Sequence, residues 1–213
     1  MTGEDPPSYD TEELSDTLET DPRADPDVVG VVLAGGTSSR FGEANKLLAD
    51  VDGESLVRHA TRTLLRADLS AVVVVVGYEA ESVRAVLSDL DVRVVTNPDY
   101  EDGLSTTVTT GLRAVGSADA VVFLPGDMPS VDPTTVEHLI DAYRAGVGTA
   151  IAAAYDGHRG NPVLFDRTHF DALRAVEGDV GGRPVFVASD DSALIDVPDP
   201  GVLMDIDTLE DLQ

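Results

Sequence analysis

The chain has 213 residues, 42% of them apolar, which is enough for one sizeable core and one folded domain. Forty acidic residues against 14 basic give a formal charge of −26, which excludes the basic footprint of a nucleic-acid binder. There is no cysteine, and no apolar run approaches the ~20 residues of a membrane span, so disulfides, thiolate metal sites and membrane insertion are excluded and a reducing, cytoplasmic setting is expected.

Residues 1–27 hold ten acids, four prolines and one arginine with few large apolar side chains, so they are expected to be disordered, with the domain running over 28–213. The apolar run Val28 to Leu33 reads as a buried strand feeding a tight loop, Gly35-Gly36-Thr37-Ser38-Ser39, followed by Arg40, Gly42 and Lys46. Glycines without a Cβ let an anion approach backbone N–H groups, and the hydroxyls add donors. Arg40 and Lys46 supply the two cationic chemistries that suit phosphate, and Lys46 is the single lysine in the chain, beside thirteen arginines. The spacing fits neither a Walker loop nor the dinucleotide fingerprint.

Helices and strands then alternate. Helix Ser55 to Ala67, strand Ala71 to Val76, helix Ala80 to Leu90 and strand Val92 to Val95 come first. Helix Leu104 to Val115, strand Ala120 to Leu124, helix Pro133 to Ala145 and strand Thr149 to Ala153 follow. Runs such as AVVVVV, without polar alternation, indicate strands buried on both faces, so the fold class is α/β: one Rossmann-like three-layer domain with a mainly parallel sheet. Beyond Ala153 the elements shorten: strand Pro162 to Phe165, helices near Arg167 to Val176 and Gly182 to Ala188, and strand Ala193 to Val197. That stretch is expected to face a substrate rather than form a second domain.

In such sheets ligands sit beyond the carboxyl ends of strands. Asp127, in Pro125-Gly126-Asp127-Met128-Pro129, follows a buried strand, where an Asx turn and an oxygen ligand for a cation are both open. Asn97-Pro98 reads as a turn or a ligand contact, and Ser105 as a first-turn helix residue or a contact. Asp207 and Glu210 stand at the spacing of a capping box.

The stretch Leu33-Ala34-Gly35-Gly36, Arg40-Phe41-Gly42 and Lys46 resembles the signature of the molybdenum-cofactor nucleotidylyltransferase family. The later segments Asn97-Pro98-Asp99-Tyr100, Asp127-Met128-Pro129, Arg159-Gly160-Asn161-Pro162, Gly178-Asp179-Val180-Gly181-Gly182-Arg183 and Asp205-Ile206-Asp207-Thr208 extend the resemblance to the C-terminus. It implies Mg²⁺ on Asp127 and Asp205, and nucleotide contacts from Leu33, Ala34, Gly35, Gly36, Lys46, Asn97 and Ser105. Lys46, Arg40 and Asp127 would carry catalysis, while Arg159, Gly160, Asp179 and Arg183 would face a molybdopterin-type phosphate acceptor. The implied reaction is nucleotidyl transfer with release of pyrophosphate. CTP comes ahead of GTP on the later segments, although Leu33-Ala34-Gly35-Gly36 matches the guanylyl pattern. A molybdoenzyme or its chaperone is the implied downstream partner. A methylerythritol-phosphate or sugar-phosphate acceptor, and a non-catalytic cofactor-delivery module, are the alternatives.

Overall fold

A computed structural model describes residues 6–11, 25–37, 41 and 45–212 of the chain. In chain order the elements are β1 (Ser8–Asp10), β2 (Val28–Ala34), a 3-10 turn Lys46–Leu48, the small hairpin β3 (Asp50–Val51) and β4 (Glu54–Ser55), and α1 (Leu56–Arg66). Then come β5 (Ala71–Val76), α2 (Ala80–Val86), β6 (Arg93–Thr96), α3 (Leu104–Ala114), β7 (Ala120–Pro125) and α4 (Pro133–Arg144). Last are β8 (Ala150–Tyr155), β9 (His158–Asp166), α5 (Phe170–Arg174), α6 (Arg183–Ala188) and β10 (Ser192–Asp196).

Eight strands form one sheet in the order β1-β10-β8-β9-β7-β2-β5-β6. Only β9 runs antiparallel to its neighbours, β7 and β8, so the sheet is mainly parallel as expected. The apolar runs are buried on both faces for a visible reason. Along β5, Val72, Val74 and Val76 enter one core cluster, whereas Val73 and Val75 enter the other. Helices α1 and α4 cover the first face through Val57, Ala60, Leu64, Val136, Leu139 and Ile140. Helices α3, α5 and α6 cover the second through Val108, Leu112, Phe170, Leu173 and Phe186. Asp132 starts α4 by accepting from Thr134 N–H at 2.8 Å, with Pro133 at the first helical position.

The expectation of disorder over residues 1–27 fails at Ser8–Asp10. These residues pair in parallel with β10, and Leu194 N–H donates to the Pro7 carbonyl at 2.9 Å. Tyr9, half-buried, packs on the first core face, which is the side-chain burial that an average over an acidic stretch conceals. A second difference lies in β9, which begins at His158 rather than Pro162, so Arg159 and Gly160 are held on a strand.

The chain leaves β2 for β5 and β6 on one side, then returns to place β7 on the other. The glycine loop after β2 and Pro125-Gly126-Asp127 after β7 therefore flank the point where the strand order reverses, the crevice where open α/β sheets bind ligands.

Candidate active site

The loops after β2 and β7 meet directly: Gly126 N–H donates to the Leu33 carbonyl at 3.0 Å. Beside them opens a cavity of about 400 Å³ whose lining includes Gly36, Lys46, Asp127, Arg159, Gly160 and Asp205. The sequence thus named residues that the fold brings together from positions 36 to 205. Arg40 lies outside the described residues.

Lys46 opens the 3-10 turn and is aimed by its neighbour Asn45, whose buried side chain accepts from Leu47 N–H at 3.0 Å and donates to the Tyr78 carbonyl at 3.1 Å. The Lys46 ammonium sits 2.6 Å from Asp127 Oδ2 and 2.9 Å from Asp207 Oδ1. Burial alone would push its pKa down; the Asp127 and Asp207 carboxylates overcome this and leave it above the ordinary lysine value. Asp127 Oδ1, by contrast, is buried with no hydrogen-bond partner. A buried carboxylate oxygen without a donor is costly. Beside it stands one ammonium among three carboxylates, Asp127, Asp205 and Asp207, so the site itself repels a triphosphate. The donor set fits a hard divalent cation, which takes carboxylate and phosphate oxygens and keeps waters. Asp205 is exposed and lines the same cavity, consistent with a place beside such an ion.

Several expected contacts are corrected. Asn97 is 1% exposed, and its amide donates to Thr106 Oγ1 at 2.8 Å and Thr107 Oγ1 at 3.1 Å while accepting from Asp99 N–H. Its polar atoms are committed to holding the start of α3, so it shapes the pocket instead of touching a nucleotide. Ser105 is buried and lines a different cavity, with Asp102, Arg113 and Arg174. Ala34 is fully buried in the core. Asp179 belongs with the glycine loop rather than the acceptor side: Leu104 N–H donates to its Oδ1 at 3.4 Å, and it lines a cavity of about 320 Å³ with Gly35, Gly36 and Tyr100. Gly103, at φ +108°, lets the two segments touch, since a Cβ there would meet the Gly178 carbonyl carbon at 2.5 Å. The capping box is displaced by one residue: Thr208 N–H and Asp207 N–H both donate to Asp211, at 2.7 and 3.1 Å.

Arg159 and Arg183 do meet, around a smaller cavity of about 160 Å³ floored by Phe165. The Arg159 guanidinium lies 5.1 Å from the Phe186 ring centroid, and burial, then the nearby Arg183, lowers its pKa. Among the described residues no carboxylate pairs with Arg159, which in so acidic a chain marks a place kept for an anion. Sequence reasoning missed Asn45, Thr107 and the Lys46–Asp207 pair; of these only Asn45, immediately before the lysine, stood in view.

A parallel sheet with a glycine loop, a lysine and a carboxylate at its switch point defines an α/β protein built to hold a nucleotide's phosphates. The chain belongs to the MobA-like NTP transferase domain family, whose model matches residues 30–193, and is a nucleotidyltransferase of that family. It is 31% identical over 195 residues to a protein named nicotine blue oxidoreductase from Paenarthrobacter nicotinovorans, covering 88% of this chain and 95% of that one. It is also 31% identical over 119 residues to a probable molybdenum cofactor guanylyltransferase from Haloferax mediterranei, 56% of each chain. Among solved structures, Rv0371c from Mycobacterium tuberculosis H37Rv superposes with a TM-score of 0.74 at 28% identity, over 87% of this chain and 95% of that one. The manganese complex of Rv0371c gives the same TM-score of 0.74 at 26% identity. No helix among the described residues is long and apolar enough to cross a membrane.

Proposed function

We propose that this protein transfers the nucleotidyl group of a nucleoside triphosphate to the phosphate of a molybdopterin-type acceptor and releases pyrophosphate. The observation that carries the reading is the buried, unpartnered Asp127 Oδ1 beside one ammonium among three carboxylates. Asp127 and Asp205 would hold Mg²⁺, and the manganese complex of Rv0371c supports a divalent ion in this fold. When bound, the cation supplies charge neutralisation on the triphosphate and a fixed template for its oxygens. Lys46, with Arg40 beyond the described residues, stabilises charge on the phosphates. Arg159 and Arg183 orient the acceptor, whose phosphate is already ionised near neutral pH, so no general base is required.

CTP is the favoured donor, with GTP next. Gly35 is the feature that resembles the guanylyl pattern, and packing accounts for it without reference to the base. A Cβ at position 35 would stand 2.3 Å from Thr107 Oγ1. Incubation with each of the four triphosphates, Mg²⁺ and a pterin phosphate acceptor tests the proposal. Pyrophosphate should appear in step with a nucleotidylated acceptor, most with CTP; release with a sugar phosphate or methylerythritol phosphate alone would reassign the acceptor.

One observation favours a second reading. The relative matched along nearly its whole length bears an oxidoreductase name, whereas the guanylyltransferase match spans 56% of that protein. Reduced nicotinamide nucleotide consumption with no pyrophosphate release would select that reading.

A further inference from the structure

The family match ends at residue 193, yet the cavity is closed by residues further along. The C-terminal segment after β10 is stapled to the loop that carries Asp127. Asp199 Oδ2 accepts from Asp132 N–H at 2.9 Å and Thr135 Oγ1 at 2.7 Å, while its Oδ1 accepts from Gly201 N–H at 2.9 Å. Ile206 N–H then donates to the Asp127 carbonyl at 2.9 Å. From this fixed base Asp207 reaches across the cavity to Lys46, a contact between residues 161 apart in sequence. The Thr208 and Asp207 N–H groups, both donating to the Asp211 carboxylate, hold the turn that presents it.

We propose that Asp207 is the positioning residue for Lys46: the C-terminal segment forms a strap whose carboxylate fixes the lysine ammonium against Asp127, at the place where the triphosphate is held. Lysine carries a flexible four-carbon stem and a point charge with no preferred plane. A single ion pair with Asp127 leaves it free to swing about that contact, and a second hydrogen bond from the opposite wall removes the freedom. Fixing a charged donor before the substrate arrives is what makes it effective in the transition state, and displacement by about 1 Å costs on the order of 100-fold in rate. Asp207 thereby completes the site from outside the region shared with the family model.

The inference rests on nucleotidyl transfer only in its kinetic arm, so the test has a second arm. Asp207→Ala and Asp207→Asn are compared with the parent for kcat, KM for the triphosphate, melting temperature, and the rate at which an amine-selective reagent acylates Lys46 in nucleotide-free protein. Because Lys46 is the single lysine, peptide mass spectrometry reads its acylation without interference from other side-chain amines. Asp207→Ala should lower kcat roughly 10- to 100-fold with little change in KM or melting temperature. It should also speed Lys46 acylation several-fold, since the amine no longer shares its protons with a second oxygen. Asp207→Asn should recover most of both, because its amide oxygen still accepts from Nζ. Unchanged Lys46 acylation in the Ala variant would overturn the proposal. So would a defect in kcat that the Asn variant shares in full, which would mean that charge rather than positioning is at stake. If no triphosphate is turned over by the parent, the functional reading fails while the acylation arm still decides the role of Asp207.

Discussion

Lys46 Nζ lies 2.6 Å from Asp127 Oδ2, joining the turn after the glycine loop to the loop after β7 across the point where the strand order reverses. The Lys46 side chain is 16% exposed, so its charge acts in partial isolation from water, where a preorganised donor is strongest. Lys46→Ala should lower turnover by ~100-fold or more, the scale for removing one preorganised donor. Lys46→Arg should not restore it, because a planar fork does not fit a slot that two carboxylates hold around a point charge. Steady-state pyrophosphate release measures both; near-full activity in Lys46→Ala would remove the lysine from the phosphate site.

The glycine loop owes its path to α3. With Thr107 Oγ1 2.3 Å from where a Gly35 Cβ would stand, Gly35→Ala should push the loop off the helix and raise KM for the triphosphate. Thr107→Ala in the same chain removes the obstructing atoms, so the double variant should recover most of the loss. A double-mutant cycle on KM checks this, and additive effects would show that the two positions do not touch.

Strand β1 covers the edge of β10 with three residues and buries part of Tyr9. Deleting residues 2–11 should therefore lower the melting temperature, by about 2–4 °C for each kcal/mol lost in a domain of this size, with kcat unchanged. Thermal unfolding and turnover of the truncated protein decide it. An unchanged melting temperature would make the strand dispensable; a collapse of kcat would place the segment in the site.

With 40 acidic against 14 basic residues, self-repulsion in dilute buffer opposes the compact state. The Debye length falls from ~10 Å at 0.1 M to ~3 Å at 1 M salt, shorter than most spacings between surface carboxylates. The melting temperature should rise with KCl from about 0.1 M to beyond 1 M, the behaviour of a protein suited to high salt. A flat or falling melting temperature would assign the acidity to solubility alone.

The parts legible in the sequence were those with local causes. Ala71 to Val76 was delimited to the residue because an unbroken valine run has both faces buried. Asp127 was legible because a buried strand ended beside turn residues. What escaped depended on partners distant in sequence. The Asn97 amide looked available until Thr106 and Thr107 took its donors. Asp207 read as a helix cap, since nothing local reveals a lysine 161 residues away. Tyr9 was hidden by the acids around it, and helix α2 stopped at Val86, short of the Leu90 suggested by its apolar spacing.

The central claim is that the triphosphate is held through a divalent ion on Asp127. Its most direct measurement is Mg²⁺-dependent pyrophosphate release by the parent and by Asp127→Asn, alongside circular dichroism of both. Loss of one charged oxygen at a strand end creates no cavity, so the variant should keep its fold. The parent should turn over only with Mg²⁺ and stop in EDTA, while the folded Asp127→Asn protein should show no metal-dependent release at any concentration. Equal metal dependence in the two proteins would contradict the account and reduce Asp127 to a turn residue.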